Sequence, residues 1–265
     1  MTEGGVCELI NFWKKFKPSS EDFCVHQDDY KVMMKKRWQG ASPTGRSSVE
    51  RFFEQLSSSE LGDFHLSLTP VPYVGNLNKA DIFLLMINPS LGYADYGTDA
   101  NPDFCEAITK NRNQDFSEAE QSCLALNFKY WDRSWFFYYE KLLRRTVRAY
   151  AEKTGVSYLD ALDVLSRRLA ILELVPYYSG DISQFGKRFL RELTSAQKAR
   201  DAAQELLQRA QNDTATVIVR WGSDKWGLAG NRTITHNTGR NGFSEGQEAI
   251  LKRLSQPIDS QIYTC

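Results

Sequence analysis

Three short apolar runs punctuate a chain otherwise built of polar segments with helical spacing. Residues 80–87 read ADIFLLMI and stop at Asn88-Pro89-Ser90, residues 169–175 read LAILELV and stop at Pro176, and residues 214–221 read TATVIVRW and stop at Gly222. Continuous apolar runs of this length, ended by turn residues, fit strands buried on both faces. Residues 232–235 give a weaker fourth strand. Residues 134–153, 158–168 and 195–210 carry apolar positions at helical spacing, and residues 244–254 form a further helix with Ser244 as its N-cap. Strands that alternate with helices pair in parallel through crossovers. The pattern therefore predicts an α/β fold, a three-layer α/β/α sandwich around a parallel sheet of about four strands. Ligands of such sheets sit beyond the carboxyl ends of the strands, which points to the loops after Ile87, Val175, Trp221 and Thr235.

Ahead of the first run, residues 9–16, 28–38 and 48–56 have helical spacing and make residues 1–68 a helical extension packed on the core. Residues 68–78 contain Pro70, Pro72 and Gly75, breakers that predict a surface connection. With no internal repeat and no abrupt change of composition, residues 69–265 read as one α/β domain.

Composition narrows the function classes. In 265 residues, 42% apolar and 25% charged positions exclude disorder and leave enough chain for a large core. Lys plus Arg and Asp plus Glu both number 33, so binding to nucleic acid needs a local patch rather than an overall field. Lys141, Arg144, Arg145 and Arg148 on one segment, and Lys187, Arg188 and Arg191 on another, are either such patches or solvated helix faces. The five cysteines, Cys7, Cys24, Cys105, Cys123 and Cys265, are scattered without a C-x-x-C pair; this predicts a reduced state with no structural zinc or iron-sulfur cluster. No leader and no apolar run of membrane length stands out, so the expected location is cytoplasmic with no membrane partner. No phosphate-loop or dinucleotide fingerprint occurs, and no cofactor is expected.

Chemistry concentrates after the first and last strands. Asn88, followed by Pro89 and Ser90, presents an amide donor and a carbonyl acceptor at the sheet edge, or is simply the start of a turn. Residues 235–243 form a polar, glycine-containing loop headed by His236. Brought to one crevice, an amide and an imidazole can position a water and stabilise charge on a leaving group.

The Asn88 loop, Met86-Ile87-Asn88-Pro89-Ser90-Leu91 with Ala94 and Gly97, resembles the first motif of the uracil-DNA glycosylase superfamily, and most closely its mismatch-specific G-I-N-P-G-L branch. His236 to Phe243 resembles the second motif, H-P-S followed by Gly-Phe, and Arg133-Ser134-Trp135-Phe136 resembles an N-R-F-W segment between them. Order and spacing agree over residues 70–254. The resemblance implies a DNA partner, base flipping and metal-free hydrolysis of an N-glycosidic bond, with Asn88 holding the attacking water and His236 stabilising the departing base. Ile87, Pro89, Ser90, Asn237 and Thr238 would line the base pocket. The family's stacking phenylalanine aligns with Ala100, so Tyr96 or Phe104 would take that role.

The departures bear on substrate. Met86 and Ser90 stand at glycine positions of the motif, and Asn237-Thr238 replaces Pro-Ser. Where the family reads uracil with an Asn, this chain has Glu173. An ionised carboxylate only accepts hydrogen bonds, which suits a base edge with two donors, as guanine has, better than uracil. Alternatively Glu173 pairs with Arg167 or Arg168. Tyr177, just after Pro176, either walls the pocket or packs in the core. These departures keep open a second reading: a module that binds DNA, a nucleobase or a nucleotide without cleaving it.

Overall fold

The computed structural model describes residues 4–19, 23–34, 64–92, 94–117, 123–130, 138–180, 187–236 and 243–257. Helices α1 (Gly5–Lys14) and α2 (Gln27–Met33) come first, followed by strands β1 (Tyr73–Val74) and β2 (Ile82–Met86), then helices α3 (Ala94–Asp99) and α4 (Pro102–Asn113). A turn of π-helix at Tyr138–Leu143 runs into α5 (Arg144–Thr154), and α6 (Tyr158–Arg168) leads directly into β3 (Leu169–Glu173). Then come α7 (Lys187–Glu192), α8 (Thr194–Gln211), β4 (Thr216–Val219), α9 (Ser223–Trp226), β5 (Thr235–His236) and α10 (Ser244–Leu254).

The strands form one sheet in the order β1-β3-β2-β4-β5. β3, β2, β4 and β5 are parallel, and β1 closes one edge antiparallel to β3. The mixed α/β fold expected from the alternating pattern is present. β2 lies at the centre, and its alternating side chains feed two buried clusters. Phe83 and Leu85 join Trp13, Leu172, Val217 and Ala203, while Ile82, Leu84 and Met86 join Ile171, Leu142, Leu165 and Ile218. At ~1.5–3 kcal/mol for each fully buried large aliphatic chain, this two-sided burial explains why no polar residue interrupts the run.

The N-terminal helices belong to this core rather than standing apart from it. α1 packs along α8, and Gly5 permits the approach: a Cβ there would lie 2.4 Å from the Asp201 carbonyl oxygen. In α2 the buried Asp29 accepts from the Tyr177 hydroxyl (2.8 Å) and from the Ser195 amide (3.1 Å), tying the lead-in to the end of β3 and the start of α8. Burial raises the Asp29 carboxyl above its ordinary value, an effect that these hydrogen bonds oppose. The helix expected at 48–56 lies outside the described residues.

Three local expectations are corrected. Residues 68–78 are no surface connection: Leu68, Val71, Tyr73, Val74 and Leu77 are buried and the segment supplies β1. The breakers shorten the strand to two residues without exposing it. The cap of α10 is Phe243, and Ser244 is already helical. Cys7 is disulfide-bonded, its partner lying outside the described residues, whereas Cys24, Cys105 and Cys123 are free thiols. No helix among the described residues is long and apolar enough to cross a membrane.

At the amino end of the sheet a buried carboxylate holds two guanidinium groups. Asp81 accepts from Arg168 Nη2 at 2.6 Å and Nε at 3.0 Å, and from Arg253 Nε at 2.8 Å. This cluster pins α10 and the start of β3 to the start of β2, leaving the opposite, carboxyl end of the sheet for ligand.

Candidate functional site

Among the parallel strands the order reverses once. From β2 the chain passes to β3 on one side, then returns to β4 on the other side and continues outward to β5. The crevice beyond the carboxyl ends of β2 and β4 is thus the topological switch point, where open α/β sheets place their ligands. The loop after β2 carries Asn88 and the loop after β4 carries Arg220, Trp221 and Gly222. The two loops touch at Gly222, whose φ of +67° is left-handed and where a Cβ would come within 2.5 Å of Ile87 Cδ1.

Asn88 is held, not merely exposed. Its Nδ2 donates to the carbonyls of Pro89 and Ser179, each at 3.0 Å. Both amide hydrogens are thereby committed, and among the described residues no donor reaches Oδ1. What remains at the crevice is an oriented hydrogen-bond acceptor. Pro89 is buried beneath it, Ile87 is turned into the core, and Ser90 is exposed.

Glu173 ends β3 and is the register partner of Met86, so it lies one strand over and two residues short of Asn88, roughly 8 Å between Cα atoms at ordinary strand spacings. It is 2% exposed. The arginines expected to neutralise it do not do so. Arg168 sits at the far end of the same strand, roughly 16 Å away, on Asp81, and Arg167 Nε bonds Asp163 at 2.8 Å. Glu173 instead shares a buried polar cluster with Asp95, Asp99 and Tyr178. Burial drives the Tyr178 phenol well above its ordinary value, and the charges of Asp95, Asp99 and Glu173 push it further. Next to it, His65 Nδ1 and the Tyr96 hydroxyl are 2.8 Å apart, the His65 amide donates to the Tyr178 carbonyl at 2.9 Å, and the Gly92 amide donates to Asp95 at 2.5 Å.

His236 is set back. Its register partner is Val219, itself level with Leu85, so two strand spacings and three residues separate it from Asn88, roughly 14 Å between Cα atoms. Its Nε2 lies 2.8 Å from the Asn231 carbonyl, which in the neutral ring makes Nε2 the donor and leaves Nδ1 as an acceptor. Asn237 and Thr238 lie outside the described residues, as do residues 131–137.

No protein-family model matches this chain, and no curated protein or solved structure matches it. A role is therefore read from its own geometry.

The aromatic expectations change most. Tyr177 faces α2 on the opposite side of the sheet, where its hydroxyl bonds Asp29 and accepts from the His26 amide at 3.2 Å. Tyr178, its neighbour, is the one on the Glu173 face. Tyr96 is spent on His65, and Phe104 is buried edge-on against Tyr130 at 5.6 Å. Neither offers a free ring face. The exposed ring at the switch point is Trp221, 44% exposed, with the Arg220 guanidinium 4.4 Å from its centroid. Burial lowers the Arg220 pKa, and the same guanidinium reaches the Phe243 ring at 5.8 Å. The signal was present in the sequence as a Trp two residues past an apolar strand, where packing no longer requires one. Among the described residues no group of three or more His, Cys, Asp or Glu side chains could hold a metal ion.

Proposed function

We propose that this chain is a uracil-DNA glycosylase-like protein, built as a three-layer α/β/α sandwich, that hydrolyses the N-glycosidic bond of a damaged or modified base in DNA. The observation that carries this reading is the Asn88 side-chain carbonyl oxygen, fixed by two hydrogen bonds from its amide to backbone carbonyls and left without a donor among the described residues at the switch point of the sheet. In the reaction the C1′–N bond breaks with its electron pair passing to the base, and water adds to C1′. The base takes up the proton. Asn88 accepts a hydrogen bond from that water and orients its oxygen; an amide does not remove the proton. Trp221 stacks the extruded base, Glu173 reads its donor edge, and His236 stabilises the departing anion as an imidazolium through Nδ1–H.

The bond from His236 to the Asn231 carbonyl favours one alternative, a reader that holds a nucleobase or nucleotide in DNA without cleaving it, because the neutral ring then has no donor left for a leaving group. The two readings separate in an alkali-cleavage assay on single- and double-stranded oligonucleotides carrying uracil, hypoxanthine, xanthine or a G:T mismatch. Alkali-labile sites made by the wild type and lost in Asn88→Ala establish the hydrolase and name its base. Binding of the same strands without labile sites, weakened by Glu173→Ala, establishes the reader.

A further inference from the structure

A second concavity lies beside the crevice, on the face of the π turn and α5. It encloses about 490 Å³ and is walled by Lys141, Arg144, Arg145 and Arg148 on one side and by Phe243 and Gln247 on the other. The cations recur at i, i+3, i+4 and i+7, one stripe of a helix, and the π turn at Tyr138–Leu143 lies where that stripe begins. The chain as a whole has no net charge, so this concentration is local.

An ordinary solvated helix face interleaves carboxylates at i±4, which neutralises its cations along the helix. On the other basic segment Arg188 pairs in this way with Glu192 at 2.9 Å. It fails here. Glu140 also borders the cavity and takes Arg144 in a two-pronged pair at 2.7 and 2.9 Å. Among the described residues Lys141, Arg145 and Arg148 have no carboxylate partner, and all three are exposed. Four cations face one carboxylate around a recess rather than a convex surface. A wall of the recess continues toward the switch point, because Phe243 is also the ring that Arg220 approaches.

We infer that this recess binds phosphate groups of a nucleic-acid strand passing beside the crevice. Unpaired guanidinium groups around a concavity suit phosphodiester oxygens, and the neighbouring aromatic and amide side chains leave room for the sugar. The site is separate from the Asn88 chemistry, so it is tested with a strand that contains no substrate base. The measurement is fluorescence anisotropy of labelled dT15 over a salt series, with wild type, Arg145→Ala and the Arg145→Ala/Arg148→Ala pair, each checked for an unchanged melting temperature. Counterion release makes each single-strand phosphate contact worth roughly eightfold at 50 mM salt, and removes about 0.7 from the slope of log K against log salt. The expected result is a loss of about eightfold for the single variant, a further loss of the same order for the pair, and shallower slopes in step. Equal affinity and slope in all three proteins overturns the inference. So does the absence of strand binding, and inorganic tripolyphosphate bound without dT15 would reassign the recess to a free polyphosphate.

Discussion

Replacing Asp81 with asparagine keeps the shape of a buried side chain and deletes the anion between two guanidinium groups. Asp81, Arg168 and Arg253 are each at most 5% exposed. Their ion pairs measure 2.6 and 2.8 Å. Removing one member of such a buried pair costs about 3–5 kcal/mol, because the remaining charge has no counterion and little water. Here the two cations keep neutral partners. Arg168 still donates to the carbonyls of Leu254, Gln256 and Arg253, and Arg253 to those of Asp213 and Thr214. The cost therefore falls at the low end, about 3 kcal/mol. For a chain of this size that is a fall in melting temperature of about 6–12 °C by circular dichroism. Added salt restores little of it, since screening acts weakly on buried charges. The double variant with Arg168→Met is more stable than the sum of the single changes predicts, because the two sites share one interaction. A melting temperature within 2 °C of wild type at the resolution of the scan, roughly 0.5 kcal/mol, would show that the cluster does not hold α10 to the sheet.

Asp29 gives a pH dependence with a defined sign. Burial raises its folded-state pKa, so between about pH 4 and that raised value the folded chain keeps a proton that the unfolded chain has released, and stability falls as pH rises. Asp29→Asn removes this slope; urea midpoints from pH 4 to 8 that slope as in wild type would contradict it. Trp221→Ala, at a half-exposed position, changes stability by no more than about 0.5 kcal/mol. The same variant weakens base-containing ligands by roughly 5- to 150-fold, the worth of one stacked base, and unchanged titrations would remove Trp221 from the site.

The sequence pattern made much of the sheet readable and much of the site unreadable, for separable reasons. β2 was legible because burial on both faces forces an uninterrupted apolar run, and β3 because its run is broken only by Glu173. β1 was hidden because Pro70, Pro72 and Gly75 read as exposed punctuation, yet Gly75 sits against the Leu169 carbonyl under a buried edge. Glu173 was correctly a buried charge in a strand. Its surroundings are not legible, because nearness in sequence to Arg168 becomes the full length of a strand in space. Past Pro176 the two-residue alternation that assigns faces is broken, and so Tyr177 and Tyr178 could not be told apart. His65 reaches the site through tertiary pairings that no local pattern encodes, the Phe64–Ser179 bridge and its own amide bond to the Tyr178 carbonyl.

The measurement closest to the central claim is single-turnover release of free base from the oligonucleotide that gives the strongest alkali-labile signal, followed by mass spectrometry with wild type and Asn88→Ala. Loss of an oriented acceptor for the attacking water predicts release slowed by about a hundredfold or more, with strand affinity little changed. Release at the wild-type rate from Asn88→Ala, or intact oligonucleotide after prolonged incubation with either protein, would contradict the assignment of Asn88 as the group that holds the water.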